Sequence, residues 1–160
     1  GVPILPLNPA TASYRPGSRG SNLTTPLGNL GITICNENMY PGLGRAAVRK
    51  GAEILVNLTN DAWWPKRFYL TNHFIFNIFR AVENRRAMVV ASNVGISALI
   101  DDRGRIVNQA PLLRPAVLGG EVKKSGRLTF YTRHGDIFAF LCVLVAVFGI
   151  GGALLKKSRH

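Results

Sequence analysis

Three short apolar runs, separated by segments with helical character, constrain the fold of this chain more than any other feature. The runs cover residues 30–35, 54–58 and 87–92 and are typical of buried strands. Residues 42–50 and 68–86 predict helices between them. In the longer helix four apolar residues recur along one face: Ile75, Ile78, Phe79 and Val82. The alternation predicts a layered α/β domain, and the continuous apolar runs indicate a sheet that is covered on both faces.

The remaining body of the chain adds a hairpin to this sheet. Residues 96–100 predict a further strand, residues 101–104 (DDRG) a turn, and residues 105–107 the start of a returning strand. Residues 1–29 hold five of the nine prolines and predict an irregular connecting segment.

The end of the chain is strongly apolar. Residues 137–155 form 19 consecutive positions without a charge, roughly 28 Å as a helix, which predicts a transmembrane helix. Basic residues follow at once in the tail, residues 156–160, so the positive-inside rule places the C-terminus in the cytoplasm and residues 1–136 outside it. Residues 1–29 lack the basic start and apolar stretch that are typical of a signal peptide. We therefore expect further spans upstream, with this chain as the C-terminal portion of a larger membrane protein.

The charge and the cysteine count exclude several classes of protein. The chain carries 20 Lys and Arg against 8 Asp and Glu, a net charge of +12. The basic residues occur at most in pairs, which disfavours nucleic-acid binding. A basic surface that faces anionic lipid fits the charge equally well, and the predicted membrane span at the end of the chain favours lipid. Two cysteines are too few for a disulfide scaffold or a four-cysteine metal cage, and no metal-ligand spacing occurs. We expect neither a metal nor another cofactor.

Cys35 is the first candidate for chemistry, because it ends a predicted strand where open α/β sheets commonly place their sites. The other cysteine, Cys142, lies in the predicted span, so Cys35 is expected to be a free thiol. The alternative is that Cys35 is only a small apolar core residue. Glu37 is a carboxylate that could orient a base or bind an ammonium group, but a negative charge does not activate a thiol. The activating groups must come from elsewhere in the fold.

Residues 60–63 (NDAW) follow the second predicted strand. In a parallel sheet this loop lies on the same edge as Cys35, and Asn60 and Trp63 are therefore assigned to substrate binding. The alternative is a polar turn with a packed Trp. On the following helix, His73 is expected to have a structural role, and Arg80 and Glu83, one turn apart, are expected to pair.

Many of these residues together resemble the nitrilase-type domain of the bacterial apolipoprotein N-acyltransferase family. The resemblance covers nearly all residues from 14 to the tail, and its "VNLTNDAW" string is fairly specific. It rests on residues 31–37 (GITICNE), Pro41, Arg45, residues 51–63 (GAEILVNLTNDAW), His73, residues 80–83 (RAVE), 85–86 (RR), 93–97 (NVGIS), 100–101 (ID), Gly104, 129–131 (TFY) and 135–136 (GD).

The resemblance implies an α-β-β-α sandwich, of which this chain holds the C-terminal half, on the periplasmic side of the bacterial inner membrane. It implies a Glu–Lys–Cys triad in which Cys35 takes an acyl chain from a phospholipid as a thioester. The acyl chain then passes to the α-amino group of the diacylglyceryl-cysteine of an apolipoprotein. Glu37 corresponds to a glutamate that is important near the cysteine, and the backbone N–H of Asn36 to an oxyanion donor.

Two departures accompany the resemblance. The residue after the cysteine is usually Tyr in the family and is Asn36 here. The family's base glutamate and its lysine lie upstream, and this chain has no Lys before Lys50 and no acid before Glu37. The chain by itself is therefore expected to be inactive. Two alternatives remain open: a membrane-anchored nitrilase-type amidohydrolase, in which water attacks the thioester, and an inactive membrane-tethered remnant that serves as a binding module.

Overall fold

The computed structural model of the protein describes residues 22–63 and 67–157. Residues 1–21 of the predicted irregular segment and residues 158–160 of the basic tail lie outside them. Over residues 22–29 the prediction of an irregular segment is wrong, because the chain there forms one short strand, a turn and the start of a second strand. Four helices are α1 (Pro41–Arg49), α2 (Arg67–Asn84), α3 (Phe130–His134) and α4 (Ile137–Lys157), and short 3₁₀ helices cover Cys35–Met39 and Asp61–Trp63. The strands are β1 (Leu23–Thr25), β2 (Gly28–Ile34), β3 (Ile54–Thr59), β4 (Ala87–Ser92), β5 (Ala98–Ile100) and β6 (Ile106–Gln109).

The six strands form one mixed sheet in which spatial order follows chain order. β2, β3 and β4 are parallel, and α1 and α2 form the crossovers between them. β1 pairs antiparallel with β2 at one side, and the hairpin of β5 and β6 continues from β4 at the other. The prediction of a layered α/β domain is therefore confirmed, and the parallel centre brings the carboxyl ends of β2, β3 and β4 to one edge.

Helices α1 and α2 cover one face of the sheet. The buried apolar cluster between these layers comprises Val48, Ala52, Leu55, Phe74, Ala81, Met88, Val90, Ala98 and Ile100. On the opposite face, Ile34 and Leu58 are neighbours in register and are 63% and 46% exposed. The expectation that both faces are covered is thus wrong for the described residues. They form one sheet and one helical layer, and the second half of the α-β-β-α sandwich stays a prediction.

The face of α2 that packs against the core is not the face that its apolar spacing indicates. Ile75, Phe79 and Val82 are exposed, and of the predicted face Ile78 is partly buried against the core. Beside the apolar Leu70, Phe74 and Ala81, the buried side chains of α2 include four polar ones: His73, Asn77, Arg80 and Asn84. Neighbouring residues supply hydrogen-bond partners to His73, Arg80 and Asn84, which makes their burial tolerable, whereas the Asn77 amide has no partner among the described residues. For example, Asn84 Oδ1 accepts a bond from Thr132 Oγ1 at 3.0 Å.

Helix α4 occupies the position of the predicted membrane span. The side chains of residues 137–150 are exposed, among them Phe138, Val145 and Phe148. In the part of the chain that the structure describes, no helix combines the length and the apolar character needed to cross a bilayer, for which about 20 apolar residues are required. The prediction of a transmembrane helix over residues 137–155 is therefore not confirmed.

Candidate functional site

Cys35 lies at a sharp corner between β2 and the first 3₁₀ helix. β2 ends at Ile34, so Cys35 begins the 3₁₀ helix rather than ending the strand as the sequence predicts. Its φ is +51°, a left-handed conformation that is uncommon for a residue other than glycine. The thiol is free and the residue is half-buried. A strained corner between a strand and a helix is an arrangement that presents a nucleophile at a sheet edge.

Glu37 and Asn36 follow Cys35 on the same 3₁₀ helix. The backbone N–H of Ile34 donates a hydrogen bond to Glu37 Oε2 at 2.7 Å, so the carboxylate ties the helix back to the end of β2. Asn36 is exposed, and the first N–H groups of a helix lack acceptors within it. This corner therefore places a thiol, a carboxylate and a backbone donor side by side.

Two buried side chains contact the backbone carbonyl oxygen of Cys35. Asn57 of β3 donates from Nδ2 to this oxygen at 3.1 Å, and Nε2 of His73 lies 3.3 Å from it. Asn57 also donates to the carbonyl of Thr33 at 3.3 Å, inside β2. The corner is thus fixed to the neighbouring strand and to helix α2.

Asp61 holds the other side of the His73 ring. Its Oδ1 lies 2.9 Å from His73 Nδ1, and the two residues are only 3% and 6% exposed. Asp61 also accepts from Thr59 Oγ1 at 2.9 Å and from Ser92 Oγ at 2.6 Å. Burial raises the pKa of Asp61, but the hydrogen bonds from His73, Ser92 and Thr59 outweigh it and hold the pKa below its ordinary value. The hydrogen bond to Asp61 outweighs burial at His73 and raises the pKa of its ring.

The sequence does not predict this arrangement around His73. His73 is separated from Cys35 by 38 residues and from Asp61 by 12, and no spacing rule links such positions. Asn57, Asp61 and Ser92 are missed as well. The available signal is that Asn57 lies in β3 and Asp61 just beyond it, and β3 is the neighbour of β2, which leads into Cys35.

Asn60 and Trp63 lie beyond β3, on the same edge as Cys35, as the parallel sheet predicts. Asn60 Oδ1 accepts from Asn93 Nδ2 at 2.6 Å and from the N–H of Ala62 at 3.2 Å, which shapes the loop. The Trp63 side chain is 79% exposed rather than packed. Within the described residues no hydrogen bond joins Asn60 or Trp63 to the Cys35 corner, so what the structure shows for them is a shared edge of the sheet.

The predicted pair of Arg80 and Glu83 is confirmed, with Arg80 Nη2 at 2.8 Å from Glu83 Oε1. Arg80 also donates to the carbonyl of Asn38 at 3.4 Å and so supports the first 3₁₀ helix from α2. An open cavity of about 510 Å³ bounded by Arg85, Arg103 and Arg127 lies at the other end of β4, away from Cys35. Among the described residues no group of three or more His, Cys, Asp or Glu side chains could hold a metal ion.

Several known proteins with similar sequences are named apolipoprotein N-acyltransferase. The chain is 44% identical over 147 residues to the apolipoprotein N-acyltransferase of Geobacter metallireducens, covering 92% of this chain and 28% of that protein. It is 42% identical over 133 residues to the protein of that name in Thermotoga maritima, covering 82% of this chain and 26% of that protein. The chain thus spans about a quarter of the length of these relatives.

Solved structures show the same fold. The carbon-nitrogen hydrolase of Helicobacter pylori G27 superposes with a TM-score of 0.54 at 21% identity over 61% of this chain and 41% of that one. Nit3 of Saccharomyces cerevisiae, a member of the nitrilase superfamily, gives 0.52 at 25% identity over 63% and 40%. The profile of the carbon-nitrogen hydrolase family matches residues 7–127. The chain belongs to the carbon-nitrogen hydrolase family.

Proposed function

We propose that this chain is the nucleophile-bearing part of an N-acyltransferase. The enzyme moves a fatty acyl chain from a phospholipid to the α-amino group of the diacylglyceryl-cysteine at the N-terminus of an apolipoprotein. The naming of its relatives supports this activity. The observation that carries the proposal is the half-buried Cys35 at a strained corner whose carbonyl is fixed by Asn57 and His73.

The reaction proceeds in two balanced steps. The Cys35 sulfur, after loss of its proton to a base, attacks the carbonyl carbon of the phospholipid ester. The C–O bond breaks, and the lysophospholipid leaves with a proton, so that a thioester remains. The amino group of the acceptor then attacks the thioester, an amide forms, and the Cys35 sulfur is released as the amine loses its proton. The Glu and Lys that the family resemblance implies as base and cation lie upstream.

The other site residues have supporting roles in this proposal. The backbone N–H of Asn36 stabilises the oxyanion that forms on the attacked carbonyl in each step. Glu37 keeps the corner in shape through its bond to the backbone of Ile34. Asn60 and the exposed Trp63 line the same edge and contact the substrates. No metal or organic cofactor takes part in the proposed steps.

We also place the enzyme at the bacterial inner membrane with the Cys35 domain on the periplasmic side, where both substrates occur. The exposed apolar side chains of α4 and the net charge of +12 support contact with an anionic lipid surface.

An acyl-transfer assay tests the proposal. The complete gene product is supplied with a phospholipid that carries a labelled acyl chain and with a diacylglyceryl lipopeptide. The expected product is the labelled amide, formed by the wild type and by Cys142→Ala but not by Cys35→Ala. Release of labelled free fatty acid at the same rate with and without lipopeptide would instead identify a hydrolase. Absence of both products from folded protein would identify an inactive remnant.

A further inference from the structure

The hydrogen-bond partners of the two ring nitrogens of His73 determine how many protons the ring carries. Nδ1 faces a carboxylate oxygen of Asp61 at 2.9 Å, and Nε2 faces the backbone carbonyl oxygen of Cys35 at 3.3 Å. Both partners are acceptors, because Asp61 is held ionised and a carbonyl has no proton to give. Both ring nitrogens must then donate, so the ring that satisfies this geometry is the positively charged imidazolium.

Several contacts fix the side chain of Asp61, so that it does not shift with the His73 ring. Its two oxygens accept from Thr59 and Ser92 as well as from His73, and its backbone N–H donates to Asn93 Oδ1 at 3.0 Å. Gly95 packs so closely that a Cβ there would overlap the Asp61 carboxylate. The ring of His73 is therefore anchored from the side opposite Cys35.

The carbonyl that His73 holds shares a peptide plane with the N–H of Asn36. In a trans peptide the C=O of one residue and the N–H of the next point in opposite directions. Holding the Cys35 oxygen inward, towards Asn57 and His73, therefore turns the Asn36 N–H outward, to the side of the exposed edge. A hydrogen bond from a cation also polarises the peptide and makes this N–H a stronger donor.

We propose that His73, anchored by Asp61, is a positioning residue that orients the Cys35–Asn36 peptide so that the Asn36 N–H serves as the oxyanion donor. This inference rests on the proposed function, in which Cys35 is acylated. His73 does not touch the substrate. It acts through the backbone of the nucleophile, and only its charged form donates to both partners.

The groups that face His73 within the described residues determine how it responds to pH. The charged partner is Asp61 of the second 3₁₀ helix, and the titratable residue Cys35 faces it through a backbone oxygen. Its other neighbours are neutral amides: Asn57 of β3 shares the Cys35 oxygen, and Asn38 Nδ2 donates to the carbonyl of His73 at 3.2 Å. Loss of one proton leaves Nδ1–H on Asp61 and turns a lone pair towards the Cys35 oxygen.

The test measures the rate of acylation of Cys35 by intact mass after phospholipid is mixed with the complete gene product. His73→Gln keeps one amide donor but no charge, His73→Leu keeps neither, and His134→Gln is the matched control at an exposed histidine. We expect the acylation rate to fall about 100-fold in His73→Leu, as for loss of an oxyanion donor, and less in His73→Gln. The phospholipid concentration for half-maximal rate should change less than about threefold, since these residues do not touch substrate.

The pH dependence of the acylation rate distinguishes a positioning role of His73 from a purely structural one. The wild-type acylation rate should decline at high pH as His73 loses its second proton, and this alkaline limb should be absent in His73→Gln, which does not titrate. In Asp61→Asn the limb should move to lower pH. Wild-type rates in His73→Leu, or an alkaline limb that all variants share, would overturn the positioning role while leaving the Cys35 thioester intact. If the proposed function itself is wrong, the outcome is a different one: Cys35 of the wild type is not acylated at all.

Discussion

Glu37 accepts a hydrogen bond from the backbone N–H of Ile34 at 2.7 Å, and this bond closes the corner on which Cys35 lies. The carboxylate therefore has a geometric role that is independent of any contact with substrate. Only one of its oxygens takes part, and the residue is exposed. A glutamine in its place retains a side-chain oxygen that can accept the same bond, whereas alanine does not.

Replacement of Glu37 tests this geometric role. We expect Glu37→Ala to slow Cys35 acylation at least about tenfold and to lower the free energy of unfolding by about 1 kcal/mol, because the Ile34 N–H loses its acceptor. Glu37→Gln should stay within about threefold of the wild-type rate, and Glu121→Ala, at an exposed position, should have no effect. If Gln is as harmful as Ala, the negative charge itself acts in catalysis.

Gly95 is expected to tolerate no side chain. A Cβ added there would meet Ser92 Oγ at 2.6 Å and would come closer still to the carboxylate of Asp61. We expect Gly95→Ala to cost about 1–3 kcal/mol in unfolding free energy and to slow acylation by displacing Asp61 from His73.

Gly42→Ala is the matched control for this substitution. A Cβ at Gly42 meets nothing within 4 Å, and the residue lies in the first turn of α1, where alanine should leave the helix at least as stable. Equal unfolding free energies for the two variants in denaturant titrations would contradict the close packing around Asp61.

The His73–Asp61 pair should stabilise the fold within a limited pH window. The pKa of His73 is raised, so its contribution is complete below its ordinary value of 6.5 and is lost as pH rises through the folded pKa. The pKa of Asp61 is lowered, so its contribution is present above 3.8 and is lost as pH falls through the folded pKa. The difference in melting temperature between wild type and His73→Leu should therefore be largest between about pH 4 and 6.5.

Thermal melts at a series of pH values measure this window. The exposed His134→Gln variant should follow the wild type throughout the series. A melting-temperature difference between wild type and His73→Leu that is constant from pH 3 to 9 would show that His73 contributes through packing alone.

Removing one partner of the ion pair between buried Arg80 and half-buried Glu83 should lower the free energy of unfolding. Burial raises the pKa of Glu83, an effect that outweighs the opposing influence of Arg80. Arg80→Leu leaves the acid without its cation and should cost about 3 kcal/mol in unfolding free energy. Adding Glu83→Gln should recover part of this loss. Arg105→Leu, which breaks the exposed pair with Asp101, should cost less than about 1 kcal/mol, and equal costs for the two arginines would contradict the account.

The sequence predicts the sheet well because apolar runs identify strands directly. Residues 54–58 and 87–92 become β3 and β4 almost to the residue, and the parallel order follows from the helices between them. The conformation of Cys35 could not be predicted in this way, because no local pattern encodes a positive φ at a cysteine, and its carbonyl is held by Asn57 and His73, which are distant in the sequence.

Helix α2 illustrates the main limit of the apolar pattern. Its spacing of Ile75, Phe79 and Val82 indicates a buried face, yet these residues are exposed. The buried face carries His73 and Arg80, whose cost of burial is offset by partners on the two 3₁₀ helices and on α2 itself. Such partners come from distant parts of the chain, so only the folded structure reveals them.

The intact mass of the protein shows whether Cys35 carries the acyl chain. The mass of the complete gene product, purified with phospholipid, is measured by mass spectrometry before and after hydroxylamine treatment. We predict an adduct of fatty-acyl mass that hydroxylamine removes, that maps to Cys35, that is absent from Cys35→Ala and that persists in Cys142→Ala. An unmodified Cys35 in folded protein supplied with phospholipid, or an adduct that survives Cys35→Ala, would contradict the thioester mechanism.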